Sequence, residues 1–487
     1  MSEATKGLEP KILWERFSEI AQIPRPSKKE EKIRKHMREL LDGLKIKYKE
    51  DKVGNIVASI PSKSGYEKTP IIVLQGHIDM VCEKDNETKH DFDNDPIKLI
   101  KDGEWIKADG TTLGSDNGIG VAAALALITD KDAVHGPLEI LMTIDEETGL
   151  TGASNLEPGF VTGKTLLNLD SEEDGAFYVG CSGGVDTIAE FDIEWKKVND
   201  GNNYYKLVVT GLKGGHSGLD IHTGRGNAIK ILGRTLNALE STNYSIVSLE
   251  GGNLRNAIPR EAEAIIAINK SQEENAKNII NEFQKDILNE FKTSDGNVKV
   301  TFSSVEVKTD KVFGDKFKNK IIDTILALPH GVIAMSQDLK DLVETSTNVA
   351  TVHTNGDLLK IGTSQRSSIN SANQYIARNV RAIFNLAGGR TETNDGYPGW
   401  KPNLDSAILK TSKEVFKEIF NKEPEIKAIH AGLECGILEG KNPGMDMVSF
   451  GPTIQGAHSP NEKVNIPAVE KFYNLLKGIL KKVTENN

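Results

Sequence analysis

The chain has 487 residues, more than one ordinary core accommodates, so at least two domains are expected. Its composition, 38% hydrophobic and 27% charged, is that of a folded globular protein and excludes a disordered one. A net charge of −10 gives no general attraction for nucleic acid or an anionic membrane, so neither is an expected partner.

Residues 1–11 are polar and carry no apolar stretch of the kind a secretion signal needs. The longest apolar run, 121–128, is far short of the roughly 20 residues that cross a bilayer. Three widely spaced cysteines, Cys82, Cys181 and Cys435, form neither a disulfide framework nor a CxxC metal site. The cytoplasm is the expected location.

In chain order, Ile12, Leu13, Phe17, Ile20 and Ala21 recur at helical spacing, and Ile33, Met37, Leu40 and Leu44 mark a second helix. Ser27 and Glu30 have the spacing of a capping box that would start that helix, each accepting an unpaired backbone N–H. Residues 55–60 and 71–75 read as strands, 118–130 as a helix, and 138–144 and 165–169 as strands. This alternation predicts an α/β domain with a mixed, mostly parallel sheet covered by helices on both faces. After the glycine-rich break at 180–184, the pattern changes to strands at 204–210, 262–269 and 298–307, with helices at 227–239, 274–291 and 370–386. A second break falls at 394–399. The expected organisation is therefore a discontinuous domain, 1–185 and 396–487, interrupted by an α+β insert at 186–395.

Ligands gather beyond the carboxyl ends of strands in open α/β sheets, and three predicted strands end there in acids or imidazoles. His77 and Asp79 follow the strand at 71–75; two residues apart in extended chain, they face the same side. An aspartate so placed fixes the imidazole tautomer and raises its basicity as a ligand. Glu146 and Glu147 follow the strand at 138–144, and Asp170 ends the strand at 165–169. Asp116 opens a helix, where N-capping is its ordinary role. Any one of these is commonplace in a loop. As a set, with His458 later in the chain, they meet the needs of a site with two metals about 3.5–4 Å apart.

The segments Gly76-His77-Ile78-Asp79-Met80-Val81, Gly114-Ser115-Asp116-Asn117-Gly118-Ile119-Gly120, Thr143-Ile144-Asp145-Glu146-Glu147-Thr148-Gly149, Asn168-Leu169-Asp170, Gly214-Gly215-His216-Ser217-Gly218 and Gly456-Ala457-His458-Ser459-Pro460-Asn461-Glu462 resemble the M20 metallopeptidases. Within that family the likeness is to the aminoacyl-histidine dipeptidase branch, and it extends over nearly the whole chain. It implies a zinc-peptidase-like catalytic domain with an inserted lid or dimerisation domain, and two Zn²⁺ per chain, with Mn²⁺ or Co²⁺ as alternatives. Asp116 would bridge the metals, with His77 and Asp170 completing one site and Glu147 and His458 the other. Asp79 would orient His77, and Glu146 would be the general base for a metal-bridging hydroxide. A cis peptide is implied between Asp116 and Asn117.

By the same resemblance, His216 would stabilise the oxyanion, Asn256 and Arg366 would hold the substrate carboxylate, and Glu434 would face the substrate amino end. His216 would act either within its own chain, through a duplicated lid, or across a homodimer. The implied activity is hydrolysis of Xaa-His dipeptides, β-alanyl-histidine included. The alternatives are a related amidohydrolase acting on other short peptides or N-acyl amino acids, and a binding protein without catalysis.

Overall fold

The structure, a computed structural model, describes residues 2–486. The chain forms two compact units: Met1–Gly180 with Trp400–Ala428 and Leu433–Asn487, and Cys181–Gly399 with Ile429–Gly432.

The first unit is built on strands β1 (Lys47–Glu50), β2 (Ile56–Ile60), β3 (Ile72–His77), β4 (Leu138–Thr143), β5 (Thr165–Asn168), β6 (Ala176–Cys181), β7 (Glu425–Ile429) and β8 (Asp446–Ser449), in the spatial order β1-β2-β4-β3-β5-β8-β6-β7. The sheet is mixed. Pairing is parallel at its centre, for β4–β3, β3–β5 and β5–β8, and antiparallel for β1–β2, β2–β4 and β8–β6. Central strands β3 and β4 are buried along their whole length, which is why they read as continuous apolar runs. β3 runs two residues past the sequence expectation because β4 keeps pairing with it, Gly76 opposite Met142 and His77 opposite Thr143.

Helices α1 (Lys11–Ala21), α2 (Glu31–Gly43) and α3 (Ser115–Thr129) belong to the same unit. The expected capping box at α2 does not form. Glu30, at the N-cap, makes no side-chain cap bond; its carboxylate accepts from the amides of Lys28 and Asp145. The Ser27 hydroxyl donates to Asp79 instead, 2.8 Å away. Both polar groups are drawn off to hold loops at the strand ends. A small antiparallel sheet includes Ile454–Gln455 and Lys463–Asn465, whose connecting loop carries His458.

The second unit holds an all-antiparallel sheet of nine strands with a repeated plan. One half runs strand Asn202–Thr210, helix Ala228–Ala238, strands Ser245–Gly251 and Ala262–Asn269, helix Glu273–Glu290 and strand Lys299–Ser304. The other runs strand Gly183–Asp192, helix Asp315–Ala327, strands Val343–Asn355 and Leu358–Ser367, helix Asn370–Leu386 and strand Arg390–Thr393. In each half the strands lie in the order fourth, first, third, second, and the halves meet at their second strands, Glu250 opposite His353 and Gly251 opposite Val352. One half is thus inserted after the first strand of the other. A single apolar cluster runs through both, from Phe191 and Phe384 to Leu207 and Ile266.

Cys82, Cys181 and Cys435 take part in no disulfide. Among the described residues no helix is long and apolar enough to cross a membrane.

Candidate active site

The carboxyl ends of β3, β4 and β5 bring His77, Glu146, Glu147 and Asp170 together, and α3 and the 456–462 loop add Asp116 and His458. Asp116 is shared. Its Oδ1 lies 3.1 Å from His77 Nε2 and its Oδ2 lies 3.1 Å from His458 Nε2. Asp170 Oδ1 is 3.4 Å from His77 Nε2, and Glu147 Oε2 is 3.0 Å from His458 Nε2. The donor atoms therefore form two groups, His77–Asp116–Asp170 and Asp116–Glu147–His458, joined by one carboxylate.

The local backbone explains how Asp116 is free to bridge. Its ordinary role would be to cap α3, but the amides of Leu113, Gly114, Ser115 and Asp116 all donate to Glu462, at 2.7–3.3 Å. Glu462 also accepts from the Ser115 hydroxyl at 2.7 Å. A buried carboxylate thus serves as the anion that the helix start favours. Asp116 and Asn117 leave helical geometry, and the peptide between them is cis.

Asp79 is fully buried under His77, with Oδ1 3.3 Å from Nδ1. It also accepts from the amides of Glu146 and Glu147, at 3.1 and 3.3 Å. Those amides point inward because Asp145 adopts a left-handed backbone, φ 47°, an uncommon conformation for a non-glycine residue that is over-represented at functional sites. Arg25, buried, donates to the carbonyls of Ile78 and Asp79 at 3.2 and 2.7 Å and to that of Gly114, tying the loop after β3 to the start of α3.

The electrostatics are dominated by crowded acids. Burial disfavours charge on His77, yet Asp170, Asp116 and Asp79 hold its pKa well above the ordinary imidazole value. Hydrogen bonds to Asp116 and Glu147 push His458 up to about 11. Burial, with Asp116 and Glu147 adding to it, pushes Asp170 up to about 7. Burial also raises Glu146 well above the carboxylate range, with Asp170, Glu434 and Glu147 reinforcing it. Such a concentration of negative charge calls for cations. Glu147 Oε1 and Asp170 Oδ1 are buried and make no hydrogen bond, as expected of oxygens shaped for a metal rather than for a donor group. The imidazole and carboxylate donor set fits zinc and similar divalent ions.

Glu434, at the start of helix Glu434–Lys441, is buried beside these acids. Its Oε2 accepts from Gln75 Nε2 at 2.5 Å and Thr143 Oγ1 at 2.7 Å, whereas its Oε1 has no partner. Burial pushes its pKa up to about 7.

In the second unit, His216 forms a two-residue bridge with the 257–258 strand, and Asn256 sits in the adjacent turn with its side chain exposed. The ring Nδ1 of His216 accepts from the amides of Gly218 and Leu219, at 3.2 and 3.1 Å. Its proton therefore belongs on Nε2. Burial and the Arg366 guanidinium push its pKa down to about 4, so the ring is neutral. Arg366 is itself buried, and among the described residues no acid pairs with it. It donates to the Tyr397 hydroxyl at 2.8 Å and, at 3.4 Å, to Ser217.

Sequence reasoning gave no role to Glu462, Arg25, Gln75, Ser217 or Tyr397, and gave Ser27 a helix cap rather than its place beside Asp79. Glu462 alone left a local signal, an acid four residues after His458 in the same loop. The rest act through partners distant in sequence.

Residues 73–482 match the model of peptidase family M20/M25/M40. The chain is 42% identical, over 99% of both lengths, to the cytosol non-specific dipeptidase of Escherichia coli (strain K12). It is similar to the crystal structure of aminoacylhistidine dipeptidase from Vibrio alginolyticus, with TM-score 0.90 and 40% identity over 99% of this chain and 98% of that one. The fold is also that of the aminopeptidase PepT from Bacillus cereus, TM-score 0.58 at 18% identity over 98% and 99% of the two chains.

Proposed function

The chain belongs to peptidase family M20/M25/M40, and on that footing we propose that it is a two-metal dipeptidase that cleaves substrates carrying a free amino end and a free carboxyl end. The observation that carries this reading is the sharing of Asp116 between two donor groups, His77–Asp170 and Glu147–His458.

Zinc is the proposed metal, with manganese or cobalt as the other candidates for an imidazole and carboxylate set. Two such ions supply a water acidified toward pKa about 7 and polarise the scissile carbonyl. The chain's own residues do the rest. Asp79, fixed by two amides and the Ser27 hydroxyl, holds His77 with Nε2 facing the metal position. Glu146 takes the proton from the attacking water and returns it to the leaving amine. His216, neutral with its hydrogen on Nε2, is a donor for the oxyanion.

Recognition of the two substrate ends rests on two unpaired charges. Arg366, buried without a counter-ion, suits a carboxylate through its planar fork, and Asn256 is the second proposed contact. Glu434, whose Oε1 has no partner, suits an ammonium. Two such anchors favour dipeptides over N-acyl amino acids, which lack the amino charge. Xaa-His dipeptides, β-alanyl-histidine included, are the proposed preferred class, in keeping with the relative named aminoacylhistidine dipeptidase. The relative named non-specific dipeptidase favours a broader range, so the substrate panel should extend past histidine. A cytoplasmic location accompanies this proposal. His216 and Arg366 belong to one unit of the chain.

The test is release of free histidine from glycyl-histidine and β-alanyl-histidine by zinc-loaded protein, with Glu146→Gln alongside. Wild type should turn over both. The variant should bind two metals and turn over at least about a thousandfold more slowly, since base and acid steps are lost together. Full activity in Glu146→Gln would remove the assigned role, and inertness of metal-loaded wild type toward both dipeptides would remove the Xaa-His preference.

A further inference from the structure

Arg366 lies in the strand Leu358–Ser367, opposite Gly184 on one side and Ser346 on the other. A flexible buried guanidinium with no acidic partner would be a poor receptor, because it must be ordered each time a carboxylate binds. Two hydroxyls restrain it. Ser217 Oγ accepts from Nε, and the Tyr397 hydroxyl accepts from Nη1 at the shorter distance of 2.8 Å.

The placement of Tyr397 is itself tightly determined. Its backbone pairs with Gly184 in both directions, N to O at 3.0 Å each way. Its ring fills a slot made by two glycines. A Cβ on Gly184 would come within 2.8 Å of the ring, and one on Gly432 within 2.7 Å. Neither glycine has a left-handed backbone, so what each provides there is space. Every contact in this arrangement lies within one unit of the chain.

We propose that Tyr397 is a positioning residue for substrate carboxylate recognition: its hydroxyl fixes the Arg366 guanidinium so that Nη2 and the second Nη1 hydrogen remain free for the carboxylate. This rests on the reading that Arg366 receives that carboxylate. Tyr397 need not touch the substrate, and its loss acts only through Arg366.

The experiment compares wild type, Tyr397→Phe, Arg366→Ala and the double variant on glycyl-histidine and on glycyl-histidine amide, which lacks the terminal charge. Tyr397→Phe keeps the ring in its slot and removes only the oxygen. KM for the free dipeptide should rise about tenfold, the size of one hydrogen bond to a charged group, with kcat within about twofold. On the amide, Tyr397→Phe should match wild type. The double variant should be no worse than Arg366→Ala, because the hydroxyl has then lost what it positions. Should Tyr397→Phe prove poorly folded by thermal unfolding, Gly432→Ala, which pushes the ring but keeps the hydroxyl, should give the same selective rise in KM.

Unchanged KM in Tyr397→Phe, or equal losses on dipeptide and amide, would overturn the positioning role. The underlying reading fails separately: if Arg366→Ala retains the preference for carboxylate over amide, Arg366 is not the receptor.

Discussion

At the residue scale, the clustering of His77, Asp116, Glu146, Glu147 and Asp170 was legible because each falls in a short motif at a strand or helix end. Glu462 was not, because its function depends on four amides more than 340 residues away. It occupies the N-terminal position on α3 that Asp116 would otherwise fill, and so leaves the Asp116 carboxylate to face both His77 and His458. Replacing it with glutamine puts an NH2 group opposite amides that also donate. The expected result of Glu462→Gln is a loss of metal affinity of about 10–100-fold, the scale seen when a group supporting a ligand is removed. Activity should fall at limiting metal and recover in excess metal. Metal titration by calorimetry reads this directly, and an unaltered isotherm would mean that Asp116 holds its place without Glu462.

At the scale of elements, periodicity marked helices α1 and α2 and strands β2 to β5, whereas strands Val343–Asn355 and Leu358–Ser367 and the supports between elements were not read. The spacing of Ser27 and Glu30 predicts a cap for α2, yet both side chains reach instead toward loops that also hold Asp79 and Asp145. Local pattern cannot reveal such competition, since the winning partners come from other strands. The same applies where β3 meets α3. A Cβ on Gly76 would lie 2.2 Å from Asn117 Oδ1, and Asn117 is held by the carbonyl of Leu169 at 2.7 Å. Gly76→Ala therefore forces the Asp116–Asn117 segment to move. It should cost about 1–3 kcal/mol, as overpacking a filled site does, and weaken metal binding with it. Gly43→Ala is the control: a methyl added there, at the end of α2, would meet nothing within 4 Å. In that variant a thermal scan should register no loss, and a gain of up to about 1 kcal/mol from helix propensity.

At the scale of the whole molecule, the two units respond differently to protons. In the unit that carries the sheet of repeated plan, burial pushes His216 and His330 down to about 4 and His430 to about 3, with nearby cations adding to each shift. These rings fold neutral. An unfolded histidine titrates near 6.5, so between that value and about 4 the unfolded chain binds protons that the folded unit does not. The stability these rings contribute is therefore complete above about pH 6.5 and is lost as the pH falls toward 4. At pH 5 each neutral ring costs about 2 kcal/mol, or roughly 4–8 °C in the midpoint of a unit this size. His330 is the ring to test, because it has no place in the proposed chemistry and faces Lys230 and Asn227 rather than substrate. His330→Gln should narrow the drop in thermal midpoint between pH 7.5 and pH 5 by about that amount, measured in chelator so that protonation of the metal ligands affects wild type and variant alike. An identical drop in both proteins would mean that His330 charges as freely in the fold as in the unfolded chain.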